Sequence, residues 1–187
     1  MVWELFTALR RLCIRVFESH PTQDVAEIRQ DSALCIILAV QCVEVFFNIY
    51  FRVLISEPAF VHAADRISAD LQKVQVGIDR KIKEWPELVF GKKLSLDKGV
   101  GQKFVALKNL RNSLIHFTSS HETFATKDMA IHGMADTSVY ESISTESAIE
   151  ALHIAEAFLC EVFALGGISS ENLPHALHLW TGRPPKC

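Results

Sequence analysis

The chain has 187 residues, a formal net charge of -3 and a hydrophobic content of 49%, with eight glycines and six prolines. This length and composition predict a single domain spanning residues 1–187 and built mainly from helices. The negative balance excludes a uniformly basic surface that would bind nucleic acids through overall charge.

Apolar residues recur at helical spacing along most of the chain. The predicted helices cover residues 2–18, 24–55 (with Thr22 as an alternative start), 65–84, 87–90, 102–117, 145–165 and 171–180. Pro21 and Gly91 are expected to end two of them, because proline disfavours helix in the residue before it and glycine favours a helix end. We therefore predict an all-α fold, a single antiparallel helical bundle with extra short helices.

The segment of residues 118–144 interrupts this pattern. Its periodicity fades, and serines and threonines are scattered among isolated apolar residues. We predict a long irregular connection here, of a length that is often functional or mobile in compact domains.

The apolar run Ala33–Phe51 is long enough to span a membrane. However, Gln41, Glu44 and Asn48 recur along one side at helical spacing, and Arg52 follows, which would be costly in lipid. We predict a central helix with a polar seam and no membrane association. The seam residues either support a site, satisfy one another or face solvent.

The cysteines are odd in number, widely spaced and without a Cys-x-x-Cys pair. They are Cys13, Cys35, Cys42, Cys160 and Cys187. This usage is typical of reduced thiols in a cytoplasmic protein. The first 17 residues contain several arginines and no small-residue cleavage site, so we do not expect a secretory signal.

One predicted helix carries a group of polar residues in an apolar frame, in the segment Lys108–Phe117. On a helical wheel Arg111 falls at the edge of the apolar stripe, where a solvated charge is not normally found. Asn112 and His116 are four residues apart and therefore share another face. A guanidinium, an amide and a titratable imidazole together suit chemistry on phosphate.

The order Arg111, Asn112, three further residues and His116 resembles the motif of ribonucleases in the HEPN superfamily (higher eukaryotes and prokaryotes nucleotide-binding). Residues 104–110 also resemble the helix that leads into that motif. The resemblance implies a HEPN-like fold and metal-independent cleavage of RNA by its own 2'-hydroxyl, with no cofactor. His116 would be the base or acid, Arg111 would stabilise charge on the phosphoryl oxygens, and Asn112 would orient the phosphate or Arg111.

The resemblance also implies that Glu44 and Asn48 support Arg111, and that two chains form the site together as a homodimer. Such a ribonuclease would serve as a toxin or defence effector, with an antitoxin as a partner. Some family toxins carry a modifiable tyrosine two residues after the histidine, whereas here Phe117-Thr118 follows. The alternative is a non-catalytic HEPN-like module that binds a nucleotide, RNA or a protein partner.

Positive charge is concentrated before the motif. Residues 73–111 hold ten lysines and arginines against four acids, and we expect Lys103 and Lys108 to contact RNA. The alternative is a solvated helix face. His175 and His178 lack further ligands in the sequence, so we predict no metal site. There is no Walker-type or dinucleotide-type glycine loop, which argues against ATP hydrolysis and redox cofactors.

Overall fold

The computed structural model of the protein describes residues 1–18, 24–73, 76–115, 123–126, 129–132 and 138–182. The α-helices in these ranges are α1 (Val2–Phe17), α2 (Val25–Leu54), α3 (Ala64–Gln72), α4 (Ile78–Phe90), α5 (Gly99–Ile115), α6 (Ser138–Glu141), α7 (Thr145–Leu165) and α8 (Leu173–Thr181). A 3₁₀ helix covers Pro58–Ala63, and two short strands, β1 (Thr123–Thr126) and β2 (Met129–His132), pair with each other. The predicted all-α class is confirmed.

The long helices pack around α2, which contacts α1, α5 and α7. The α1 helix runs antiparallel to α2, because Cys13 lies 3.6 Å from Cys35 (Sγ to Sγ) and Arg15 pairs with Asp31 at 2.7 Å. Later residues of α1 thus meet earlier residues of α2, as in the predicted antiparallel bundle.

Aromatic side chains fill the centre of the bundle. Phe46, Phe47 and Phe51 of α2 are fully buried. Phe104 of α5 stacks on Phe158 of α7 with ring centroids 4.2 Å apart. Burial of one such side chain stabilises a fold by about 1.5–3 kcal/mol, so this layer fixes the spacing of α2, α5 and α7.

The α2 helix is also long and apolar enough to cross a membrane, with a mean hydropathy of 2.1 over its most apolar stretch. Of that stretch, 56% is buried inside the protein. Length and composition alone do not separate a membrane span from a core helix, and this burial by neighbouring helices is what a core helix requires.

The polar helix predicted to end before Trp85 is instead two helices, and this prediction was wrong. The α3 helix stops early, α4 begins after Gly77, and α4 continues through Pro86 to a left-handed cap at Gly91. A proline inside a helix costs about 3 kcal/mol. The buried face of α4, which includes the fully buried Trp85, offsets that cost.

The predicted irregular connection at 118–144 is also partly wrong. Its described parts contain the antiparallel pair β1 and β2, which runs from Thr123 opposite His132 to Thr126 opposite Met129, and the short helix α6. Four-residue strands are too short to give a clear alternating pattern in the sequence. The following helix, α7, has the predicted bounds, although Ser144 caps it.

Candidate functional site

The helix α5, which carries the predicted motif, begins against a tightly packed loop. Gly99 has a left-handed backbone (φ 59°), and a Cβ on Gly101 would lie 1.9 Å from the backbone oxygen of Ser95. Only glycine permits that approach. The two glycines therefore set where α5 starts and how it lies against the 92–98 segment.

At its other end α5 brings Arg111 to α2. Arg111 Nη2 lies 3.8 Å from Glu44 Oε2, so the two residues that the sequence analysis expected to be neighbours are brought together. The other oxygen of the same carboxylate, Oε1, accepts a hydrogen bond of 3.0 Å from Lys81 Nζ on α4. Glu44, Lys81 and Arg111 thus form a three-helix ion cluster, here called the Glu44 cluster.

The two cations of the Glu44 cluster are held differently. Lys81 makes a hydrogen-bonded ion pair, its side chain is only 8% exposed, and its ammonium lies 5.8 Å from the ring centroid of Trp85. Arg111 is 17% exposed, and 3.8 Å is too long for a hydrogen bond. Within the part of the chain that the structure describes, Glu44 is the one carboxylate within 4.0 Å of Arg111, whose guanidinium donors remain available.

Asn48 lies one helical turn beyond Glu44 on α2. Its Oδ1 atom is buried and accepts no hydrogen bond in the described structure. An unsatisfied buried acceptor of this kind costs about 1–3 kcal/mol. Asn48 thus lies one turn from Glu44, but among the described residues its Oδ1 accepts no hydrogen bond from Arg111.

The lysines expected to contact RNA occupy different environments. Lys108 is buried, and its ammonium forms an ion pair with Asp79 of α4. Lys103 is 64% exposed and lies 3.9 Å from Glu150 of α7. Lys103 is open to an anionic ligand, whereas Lys108 lacks the exposure that a phosphate contact needs.

Other basic residues of the 73–111 segment also have acidic partners. Arg80 donates to Glu84 at 3.0 Å, and Lys93 lies 3.3 Å from Glu87. Six of the ten cations of this segment thus have a carboxylate within 4.0 Å among the described residues, so its positive charge is balanced only in part. Of the two cations of the Glu44 cluster, Arg111 has the longer contact with the carboxylate, at 3.8 Å against 3.0 Å for Lys81.

Asn112 lies on α5 directly after Arg111 and is partly buried. His116 lies outside the residues that the structure describes.

Sequence reasoning missed Lys81, although the signal was present. Lys81 occupies the buried face of α4, which also carries Ile78, Ile82, Trp85 and Val89. A charged residue at apolar helical spacing predicts a buried ion pair. The sequence prediction obscures that periodicity because it ends the helix before Trp85 and Pro86.

Most of the described cysteines are buried. Cys13, Cys35 and Cys42 are buried, Cys160 is partly buried, all four are free, and Cys187 lies outside the described residues. The hydrogen bond between Cys13 and Cys35 lowers the pKa of Cys13 and, with burial, raises that of Cys35. Burial raises the pKa of Cys42 to about 12.

Within the described ranges, no three His, Cys, Asp or Glu side chains come together in a group that could hold a metal ion. His175 and His178 both lie on α8.

Comparison of the chain with protein-family models, curated proteins and solved structures finds no match.

Proposed function

We propose that the protein is a metal-independent endoribonuclease of HEPN type, with Arg111, Asn112 and His116 as its catalytic residues. The proposal joins two independent features. The sequence order of these residues resembles the superfamily motif, and Arg111 occupies a partly buried position beside the polar seam of α2.

The observation that carries the proposal is the environment of Arg111. A partly buried arginine normally donates two short, parallel hydrogen bonds to one carboxylate. Here the nearest described carboxylate is 3.8 Å away and is already hydrogen-bonded by Lys81. An arginine positioned in this way has donors free for an incoming phosphate.

In the proposed reaction the 2'-hydroxyl of the RNA attacks the adjacent phosphorus. The bond to the 5'-oxygen of the next nucleotide breaks, which leaves a 2',3'-cyclic phosphate and a 5'-hydroxyl. Arg111 stabilises the charge on the phosphoryl oxygens, and its planar fork suits two oxygens at once. His116 moves a proton, a role that typically contributes about 10²- to 10⁴-fold, and Asn112 orients the phosphate.

The proposal includes a homodimer in which two motifs face one cleft, and a cytoplasmic location. In a toxin or defence effector of this kind, an antitoxin would control the activity. Glu44 supports Arg111 in this arrangement. Lys103, which is well exposed, contacts the RNA backbone, while the buried Lys108 links α5 to α4 through its ion pair with Asp79.

One observation favours the second candidate function, a non-catalytic module that binds a nucleotide or a short RNA end. Six of the ten basic side chains of the 73–111 segment lie within 4.0 Å of a described carboxylate, among them Arg80 with Glu84 and Lys93 with Glu87. Fewer basic side chains are therefore available to bind successive phosphates of a long RNA than the sequence suggested. A ligand with a single phosphate needs only Arg111.

The test is cleavage of end-labelled RNA in EDTA by wild type, Arg111→Ala and His116→Ala, with the product ends identified. Arg52→Ala is the matched control, because Arg52 is an exposed arginine on α2. We expect chelator-resistant cleavage that leaves cyclic phosphate ends, at wild-type rate in Arg52→Ala and reduced at least 100-fold, roughly, in the two motif variants.

Folded wild-type protein that leaves RNA intact would refute the ribonuclease proposal. Equal cleavage by all four proteins would point to a contaminating nuclease and refute it as well. Intact RNA combined with binding that depends on Arg111 would support the binding module.

A further inference from the structure

We infer that Lys81 is a positioning residue that keeps Arg111 available for phosphate by occupying Glu44. The inference rests on the proposed role of Arg111 as the phosphate-binding group. It adds a residue from α4 that the Arg111, Asn112 and His116 motif does not contain.

The first step of the argument is geometric. Glu44 faces two cations, and its carboxylate is nearer to Lys81, at 3.0 Å, than to Arg111, at 3.8 Å. The shorter contact is a hydrogen bond and the longer one is not. Lys81 therefore satisfies one carboxylate oxygen, and Arg111 is attracted to Glu44 without being locked to it.

The second step concerns charge. The Glu44 cluster carries two positive charges and one negative charge, so it has a net charge of +1 facing the site. Loss of the lysine charge would leave Glu44 and Arg111 as a neutral pair. In a partly buried site such a pair closes to hydrogen-bonding distance, and its positive potential toward an anion falls.

The third step concerns rigidity. The Lys81 side chain is only 8% exposed, and its ammonium lies 5.8 Å from the ring centroid of the buried Trp85. These contacts restrict the ammonium to the neighbourhood of Glu44. A lysine without these contacts would extend its ammonium into water, because an ammonium is strongly hydrated.

The experiment measures the availability of the Arg111 guanidinium directly, without RNA. The protein is treated with phenylglyoxal, and the labelling rate of Arg111 is measured by peptide mass spectrometry relative to the exposed Arg52. The variants are Lys81→Met, Lys81→Arg, Glu44→Gln and the double variant Lys81→Met/Glu44→Gln.

We expect Lys81→Met to slow labelling of Arg111 about fivefold, the factor given by an ordinary ion pair closing on it. Lys81→Arg should restore the wild-type rate, because it keeps the charge. In Glu44→Gln, Arg111 should be labelled at least as fast as in wild type. In the double variant, the labelling rate of Arg111 should equal that in Glu44→Gln. If Lys81→Met does not fold, Lys81→Gln takes its place and should show the same slowing.

An unchanged Arg111 rate in the folded Lys81 variant would overturn the inference. So would equal slowing in the double variant, because the effect would then not pass through Glu44. Failure of the proposed function has a different signature. It is seen as wild-type protein that does not cleave RNA, whatever the labelling pattern.

Discussion

The clearest stability prediction concerns Arg10, a buried arginine that joins three helices. Arg10 donates to Glu156 of α7 at 2.6 Å and 3.0 Å, and to the backbone oxygens of Thr181 and Gly182 at 2.6 Å and 3.1 Å. Its side chain is 7% exposed. Arg10 thus anchors the end of α8 to α1 and α7.

The substitution Arg10→Met keeps most of the side-chain volume and removes every one of these donors. It leaves Glu156, 22% exposed, without its cation and the backbone oxygen of Thr181 without its described donor, whereas the Gly182 oxygen keeps the longer contact from Thr181 Oγ1, at 3.4 Å. Removal of one partner of a buried ion pair lowers the free energy of unfolding by about 3–5 kcal/mol. For a chain of this size that loss lowers Tm by roughly 6–20 °C.

The assay is urea unfolding followed by far-ultraviolet circular dichroism. Arg11→Met is the matched control, because Arg11 is the next residue and is exposed. It should change stability by less than about 0.5 kcal/mol. If Arg10→Met costs no more than Arg11→Met, Arg10 does not anchor α8 and the reasoning is refuted.

Three further predictions follow from packing and burial. Gly101→Ala places a Cβ 1.9 Å from the Ser95 oxygen and should cost about 1–3 kcal/mol in urea unfolding, whereas Gly77→Ala meets no atom within 4 Å and should cost far less. Cys42 ionises from pH 9.0 in the unfolded chain, but its pKa in the fold is about 12, so stability should fall as pH rises between these values. Cys42→Ala should flatten that pH dependence, and an unchanged slope would contradict it. Lys108→Met should lower Tm while leaving the salt dependence of RNA binding unchanged, because its buried ammonium makes no phosphate contact.

Strong apolar periodicity made the long helices predictable. The bounds of α7 are those read from the sequence, and α2 differs from its prediction by one residue at each end. The prediction of helix ends failed where the propensity of a single residue was opposed by burial of its neighbours. Pro86 is a helix breaker by propensity, yet it lies inside α4, because the buried Trp85 on the same helix outweighs its cost.

The candidate site was predictable only in part. Helical spacing indicated that Glu44 belongs to a polar seam and that Arg111 lies at the edge of an apolar stripe. That α4 would place Lys81 against Glu44 depends on how three helices are rotated about their axes, which no single segment specifies. For the same reason, the lysines near the motif could not be sorted into exposed Lys103 and buried Lys108 before the structure was known.

The central claim is that Arg111 binds a phosphate group of a nucleotide or of RNA, and both proposed functions require it. The most direct measurement is the affinity of wild type, Arg111→Ala and Arg52→Ala for a fluorescein-labelled RNA whose 2'-hydroxyls are methylated, so that no 2'-hydroxyl is free to attack the phosphorus. We predict that Arg111→Ala weakens binding about tenfold and lowers the salt slope by about one, while Arg52→Ala matches wild type. Identical binding curves for wild type and Arg111→Ala would contradict the claim.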